Sequence, residues 1–211
     1  MLKVALTGGL ATGKSRIRVR IASRGVPTID ADAIVHELFA AGSETSSDIV
    51  SRFGPGIAAR GGAIDRRALG ALVFDDAEAR RTLEAIVHPR VYHRITRWMA
   101  AQAASGAAWV LAEIPLLFET GHEGDFDRVI VAACSPDEQV RRVAERDGLP
   151  ETAVRARLAA QWPIAEKVTR ATDLIDTSGS LAATDAQVDA VCATLDELGE
   201  VPGHEVAPRA D

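Results

Sequence analysis

The 211 residues carry 24 lysines and arginines against 30 acids, a formal net charge of −6. That balance excludes a nonspecific polyanion-binding surface, so a bound phosphate must be met by a local cluster of positive charge. Hydrophobic residues at 47% and charged ones at 26% match an ordinary globular chain and exclude a disordered or fibrous one. No apolar run approaches the ~18–20 residues that span a bilayer.

Cys134 and Cys192 are the two cysteines, too few for a disulfide framework and without zinc-site spacing. They read as small buried hydrophobes. The expected location is the cytoplasm, with no nucleic-acid, membrane or obligate protein partner.

In chain order, Leu2 to Thr7 is a short buried strand and "GVPTID", Gly25 to Asp30, a second, with the helical "KSRIRVRIAS" between them. This is a βαβ unit. Apolar runs at Ala107–Pro115 ("AAWVLAEIP") and Asp127–Cys134 ("DRVIVAAC") are strands covered on both faces, and "TDLIDT", Thr172 to Thr177, is a shorter fifth. The fold class expected is therefore α/β, a three-layer αβα fold with a five-stranded, mostly parallel sheet, a helical insert and a lid.

About 76 residues separate Asp30 from Ala107, where a crossover needs only ~10–12. The insert holds the helical patterns "ADAIVHELFAAG", "SSDIVSRFG" and "DRRALGALVF", then Leu83, Val87, Val91, Ile95 and Met99 at fourfold spacing. Pro89 interrupts the last pattern, and its missing N–H predicts a new helix beginning after His88. A second polar helical pair, Gly148 to Arg170, carries Arg155, Arg157, Lys167 and Arg170 and suits a mobile lid. The division predicted is a discontinuous nucleotide-binding core (1–34, 107–147 and 171–199), a helical acceptor domain (35–106), a lid (148–170) and a disordered tail (200–211).

The chemistry begins at "VALTGGLATGKS". Gly8, Gly13, Lys14 and Ser15 satisfy G-x-x-x-x-G-K-[ST] between a strand and a helix, the context that this phosphate-binding pattern requires. Glycines let backbone N–H groups turn toward phosphate oxygens, and the helix adds its positive end. Lys14 reaches the terminal phosphates and the Ser15 hydroxyl can ligate Mg²⁺.

The acids bear on whether phosphate is held or transferred. Asp30 and Asp32 end the second strand, at the edge of a parallel sheet where the phosphate loop also lies. If the strand continues, both point the same way, one as a base on an acceptor hydroxyl and the other toward a metal-bound water. Asp32 is equally read as the N-cap of "AIVHELF". Glu113 ends "WVLAE", either as an acid toward Mg²⁺ or its water shell or as a solvent-facing strand end. Arg142 and Arg146, one helical turn apart, share a face that can meet phosphate or be simply solvated. His88 before Pro89 reads by itself as a local structural residue.

Together, "TGGLATGKS", "IDAD", "HP" at His88, "PLLFE" from Pro115 to Glu119, "Q..RV..RD" from Gln139 to Asp147, and "AQ" followed by Lys167 and "TDLID" resemble the dephospho-coenzyme A kinase family, in order across about Leu2 to Leu198. The resemblance implies ATP-dependent phosphorylation of the ribose 3′-hydroxyl of dephospho-coenzyme A, with ATP as co-substrate and Mg²⁺. It places the ATP phosphates on Gly8, Gly9, Leu10, Ala11, Thr12, Gly13, Lys14, Ser15 and Arg16, with Arg142 and Arg146 from the lid side. Lys14 is the charge stabiliser and Asp32 the base. Leu116, Leu117 and Phe118 pack against the coenzyme, Glu119 orients it and His88 joins the acceptor side. The metal falls to Ser15, with Asp30 or Glu113 through water.

Four departures from the family pattern stand out. Arg16 replaces a usual Thr. Ala11-Thr12 replaces Gly-Ser, and the added Cβ atoms predict no positive φ there. Glu113 is one methylene longer than the usual Asp, and Thr177 loses any contact made by the usual Asn. The competing functions are another phosphate-loop kinase acting on a nucleoside, nucleotide or sugar, and a nucleotide-dependent switch. Against the switch, there is no "NKxD"-type guanine-reading segment.

Overall fold

In the computed structural model, which describes residues 1–200, five strands form one parallel sheet flanked by helices. β1 (Leu2–Gly8) sits at its centre, with β2 (Thr28–Asp30), β3 (Trp109–Glu113), β4 (Arg128–Ala133) and β5 (Asp173–Asp176) in the order β2-β3-β1-β4-β5. The register sets Leu6 beside Glu113 and Gly8 beside Ala132. The carboxyl ends of β1, β3 and β4 therefore open at one edge, where open α/β sheets bind ligands.

The sequence makes these strands because their apolar runs are continuous. Every residue of β3 is buried, and so are four of the six in β4, as a sheet covered on both faces requires. α1 (Lys14–Ser23) supplies Ile17 and Ile21, one turn apart, and α9 (Leu181–Glu200) supplies Val188, Cys192 and Leu195. These join the strand residues Val4, Leu6, Leu111 and Ile130 in one core. Each large aliphatic side chain among them contributes roughly 1.5–3 kcal/mol on burial. Outside that core Arg16 pairs with Asp185, and Arg20 and Arg24 with Asp189. These pairs are partly exposed and each worth little, but they fix the register of α1 on α9.

The chain divides into two compact units, one of Met1–Ile29 with the chain from Met99 onward, the other of Asp30–Trp98. The second contains α2 (Ala31–Leu38), α3 (Glu44–Phe53), α4 (Arg66–Asp75) and most of α5 (Ala77–Ala104). Asp30, Ser43, Asp65 and Asp76 cap these four helices by accepting from N–H groups of their first turns, which is why the helices begin where they do.

α5 corrects one expectation: Pro89 lies inside a single 28-residue helix. Next to the proline, the Arg90 guanidinium reaches back along the helix to donate to Ile86 O at 2.7 Å. The buried stripe of Val87, Val91, Ile95 and Met99 runs through the proline without a break, and packing of that stripe outweighs the local preference.

In the first unit, α6 (Pro136–Asp147), α7 (Glu151–Ala159) and α8 (Ile164–Thr169) follow β4. Ser135 caps α6, Pro136 occupies its first position and Gly148 at φ +65° ends it, the usual punctuation of a helix. Residues 201–211, nearly all of the tail expected to be disordered, lie outside the described residues. No described helix is long and apolar enough to cross a membrane.

Candidate active site

The loop between β1 and α1 turns on two glycines with different needs. Gly13 adopts φ +80° at the start of α1, a conformation L side chains rarely take. Gly8 is required by close approach, since a Cβ there would stand 2.3 Å from the backbone oxygen of Ala132. Between them Ala11 has φ +57°, contrary to the expectation that its Cβ forbids positive φ. The surrounding bonds enforce that turn: Thr12 Oγ1 donates to Gly9 O at 2.9 Å and Arg142 Nη1 to Ala11 O at 3.3 Å.

Lys14 folds back over the loop, its Nζ donating to Gly9 O at 2.7 Å and Gly8 O at 3.4 Å. The ammonium is thus held against the loop. Ser15 Oγ donates to Glu113 Oε1 at 3.1 Å, and Arg18 Nε to Glu113 Oε2 at 2.7 Å. Glu113 is 4% exposed, so it is not a solvent-facing strand end. A hydroxyl and a carboxylate are hard oxygen donors that fit Mg²⁺. The described residues hold no cluster of three acids, histidines or cysteines suited to a metal, so a magnesium ion here would draw its remaining ligands from nucleotide phosphate and water.

The loop is braced from outside by residues whose roles the sequence did not reveal. Gln139 Nε2 donates to Leu10 O at 2.7 Å, and Leu10 N–H donates to Gln161 Oε1 at 3.1 Å. Both glutamines stand in quoted motifs, "Q..RV..RD" and "AQ", which was the available signal. Thr177 Oγ1 donates toward Thr12 O at 3.1 Å and accepts from Arg142 Nη1 at 3.2 Å. The threonine therefore supplies a contact where the loss of one was expected, tying the end of β5 to the loop. Arg16 turns away to Asp185 on α9.

Arg142 and Arg146 have different partners in this structure. Arg142 spans Glu138, Ala11 O and Thr177 O, whereas Arg146 is exposed and bonded to Asp147. Arg141 and then Arg142 hold the Glu138 carboxyl down to about 2 against a partial opposing effect of burial. Burial pushes the thiols of Cys134 and Cys192 up, in keeping with two unreactive buried cysteines.

The segment "PLLFE" faces inward more than expected. Leu117 is fully buried and Phe118 is 2% exposed, while Leu116 is 36% exposed. Phe118 stacks on Trp162 with ring centroids 6.3 Å apart, and the Arg170 guanidinium lies 4.7 Å from the Trp162 ring. Glu119 Oε1 accepts from Lys167 Nζ at 2.7 Å and Trp162 N–H at 3.0 Å. Lys167, wholly buried, also donates to Pro115 O. The positive charge of residues 148–170 is thus largely consumed within the protein: Arg155 meets Glu151, Arg157 meets Asp147 and Arg170 meets Glu123.

In the second unit, Asp30 is the N-cap of α2, its Oδ1 accepting from Asp32 N–H at 2.9 Å and Ala33 N–H at 3.4 Å. This replaces both local expectations. The strand does not continue through "DAD", because helix begins at Ala31, and Asp32 is not the cap. Asp32 is an exposed residue in the first turn of α2, and His88 lies half-buried within α5.

A sequence model of dephospho-CoA kinases matches residues 2–183. The chain belongs to the dephospho-CoA kinase family. It is 42% identical over 197 residues to the dephospho-CoA kinase of Geobacillus kaustophilus, covering 93% of this chain and 98% of that one. With the enzyme of Chromobacterium violaceum it shares 46% over 188 residues, 89% and 91% of the two chains. The solved structure of the Campylobacter jejuni dephospho-CoA kinase superposes with a TM-score of 0.71 at 30% identity, over 92% of this chain and 97% of the other. The four departures from the dephospho-CoA kinase pattern thus fall within a member of the family. Three of them, Ala11, Glu113 and Thr177, are bonded into the loop's supports, and Arg16 serves the helix packing behind it.

Proposed function

We propose that the protein transfers the terminal phosphoryl group of ATP to the ribose 3′-hydroxyl of dephospho-CoA, giving CoA and ADP, with the residues in the following roles. The loop from Gly8 to Ser15 receives the ATP phosphates on its N–H groups and on the N-terminus of α1. Lys14 neutralises charge that spreads onto the transferred group and the departing ADP oxygen. Asp32 accepts the proton of the 3′-hydroxyl as that oxygen bonds to phosphorus and the bond from phosphorus to the ADP oxygen breaks. Ser15, with Glu113 through water, would hold magnesium, whose charge would further neutralise the phosphates.

The observation that carries this reading is the preset loop: an ammonium 2.7 Å from Gly9 O, directly followed by a hydroxyl 3.1 Å from a buried carboxylate. Asp32 stands exposed in the first turn of α2, whose N-cap is Asp30. Leu116 is the exposed member of "PLLFE" and the one offered to the acceptor. Glu119 and Phe118 shape that segment from behind, through Lys167 and Trp162.

The test is Asp32→Asn. Its kcat is expected to fall by roughly 10²–10⁴ with ATP affinity nearly unchanged. Unchanged turnover would remove Asp32 from the reaction.

A further inference from the structure

We propose that Gln161 is an autoinhibitory contact on the phosphate loop: its side-chain carbonyl occupies a loop N–H that a phosphate oxygen takes when ATP binds. The inference rests on residues 8–15 being the ATP phosphate site.

Three of the braces on the loop meet its carbonyls. Gln139 donates to Leu10 O, Arg142 to Ala11 O and Thr177 to Thr12 O. A phosphate cannot use carbonyl oxygens, so nucleotide binding has no reason to disturb these bonds. Gln161 differs in kind, because its Oε1 accepts from Leu10 N–H at 3.1 Å. An amide N–H carries one hydrogen, and an sp² oxygen placed on it competes with any phosphoryl oxygen for the same donor. The exchange favours phosphate, since a charged acceptor makes the stronger bond.

The surroundings permit that exchange. A cavity of about 350 Å³ is lined by Gly9, Gln139, Gln161, Trp162 and Ile164 among others, which gives the displaced side chain room to move. Gln161 also sits between α7 and α8, next to Trp162, whose ring lies on Phe118 and whose N–H donates to Glu119. Releasing Gln161 removes the tie from Leu10 to this connection while leaving the Trp162 and Lys167 anchors in place. Nucleotide binding and the freedom of the α7–α8 connection are therefore linked through one hydrogen bond.

Calorimetric titration of the full chain with a non-hydrolysable ATP analogue and Mg²⁺, on wild type, Q161A and Q161E, tests this. Q161A removes the competitor and should bind the analogue about three- to tenfold tighter, while its ligand-free melting temperature falls. Q161E places a carboxylate on the same N–H, holds it more strongly and repels phosphate. Its affinity should drop about ten- to a hundredfold. A residue that merely supports the loop would weaken binding in both variants, so equal or weaker binding by Q161A overturns the proposal. Absence of binding to the wild type would instead remove the phosphate assignment of the loop, and the proposal with it.

Discussion

Ala11 adopts the left-handed conformation at φ +57°, where a side chain costs about 1 kcal/mol that glycine does not bear. Ala11→Gly is therefore expected to raise the melting temperature by about 2–4 °C, and an unchanged or lower value in thermal unfolding would show that the loop carries no strain there. Glu138 makes a pH-dependent contribution to the same loop through Arg142. Its carboxyl titrates at about 2 in the fold against an ordinary 4.5, chiefly because Arg141 and then Arg142 donate to it. The depressed value means that the stabilisation is present above about 4.5 and fades as pH falls toward 2. Acid unfolding of Glu138→Gln should lack that part of the pH dependence, as chemical denaturation across this range would reveal. At this scale the phosphate loop was legible because its glycines, lysine and serine act through neighbours in sequence. Gln139, Gln161 and Thr177 were not, because they reach Leu10 and Thr12 across more than a hundred residues of chain.

Among the elements, the α7–α8 pair shows why charge alone misleads. Four basic residues suit a mobile lid in the sequence, yet Lys167 is fully buried on Glu119 Oε1 and Pro115 O. Lys167→Met leaves that carboxylate without its charged partner and should destabilise the fold by roughly 3–5 kcal/mol in denaturant unfolding. The double change Lys167→Met with Glu119→Leu should recover much of the loss, and equal destabilisation by both would argue that Lys167 acts through packing alone. Strands were the more readable elements, since continuous apolar runs at Ala107–Pro115 and Asp127–Cys134 admit few other structures. Pro89 was misread because its local preference is outweighed by the stripe from Val87 to Met99, and the strength of such packing is not a local property. The turn at "DAD" was misread for the opposite reason. A cap by Asp30 ends the strand at once, so alternation along a strand says nothing about Asp32.

For the whole molecule, the ordered series of motifs carried more than any one of them. The phosphate loop alone is shared by kinases and switches, whereas the loop, "DAD" and "PLLFE" in sequence named a single family, and a family match across residues 2–183 bears that out. The shared carboxyl edge follows from the parallel pairing expected of these strands, whereas the order β2-β3-β1-β4-β5 rests on long-range contacts that strand spacing does not specify. The most direct measurement is of the product. Purified protein with ATP and Mg²⁺ is offered dephospho-CoA, nucleosides, nucleotides and sugars in turn, with ADP quantified and the new phosphate located by ³¹P NMR. The result predicted is ADP formation dependent on dephospho-CoA, with phosphate on the ribose 3′-oxygen; ADP release without an acceptor, or product from a sugar or nucleoside and none from dephospho-CoA, would contradict it.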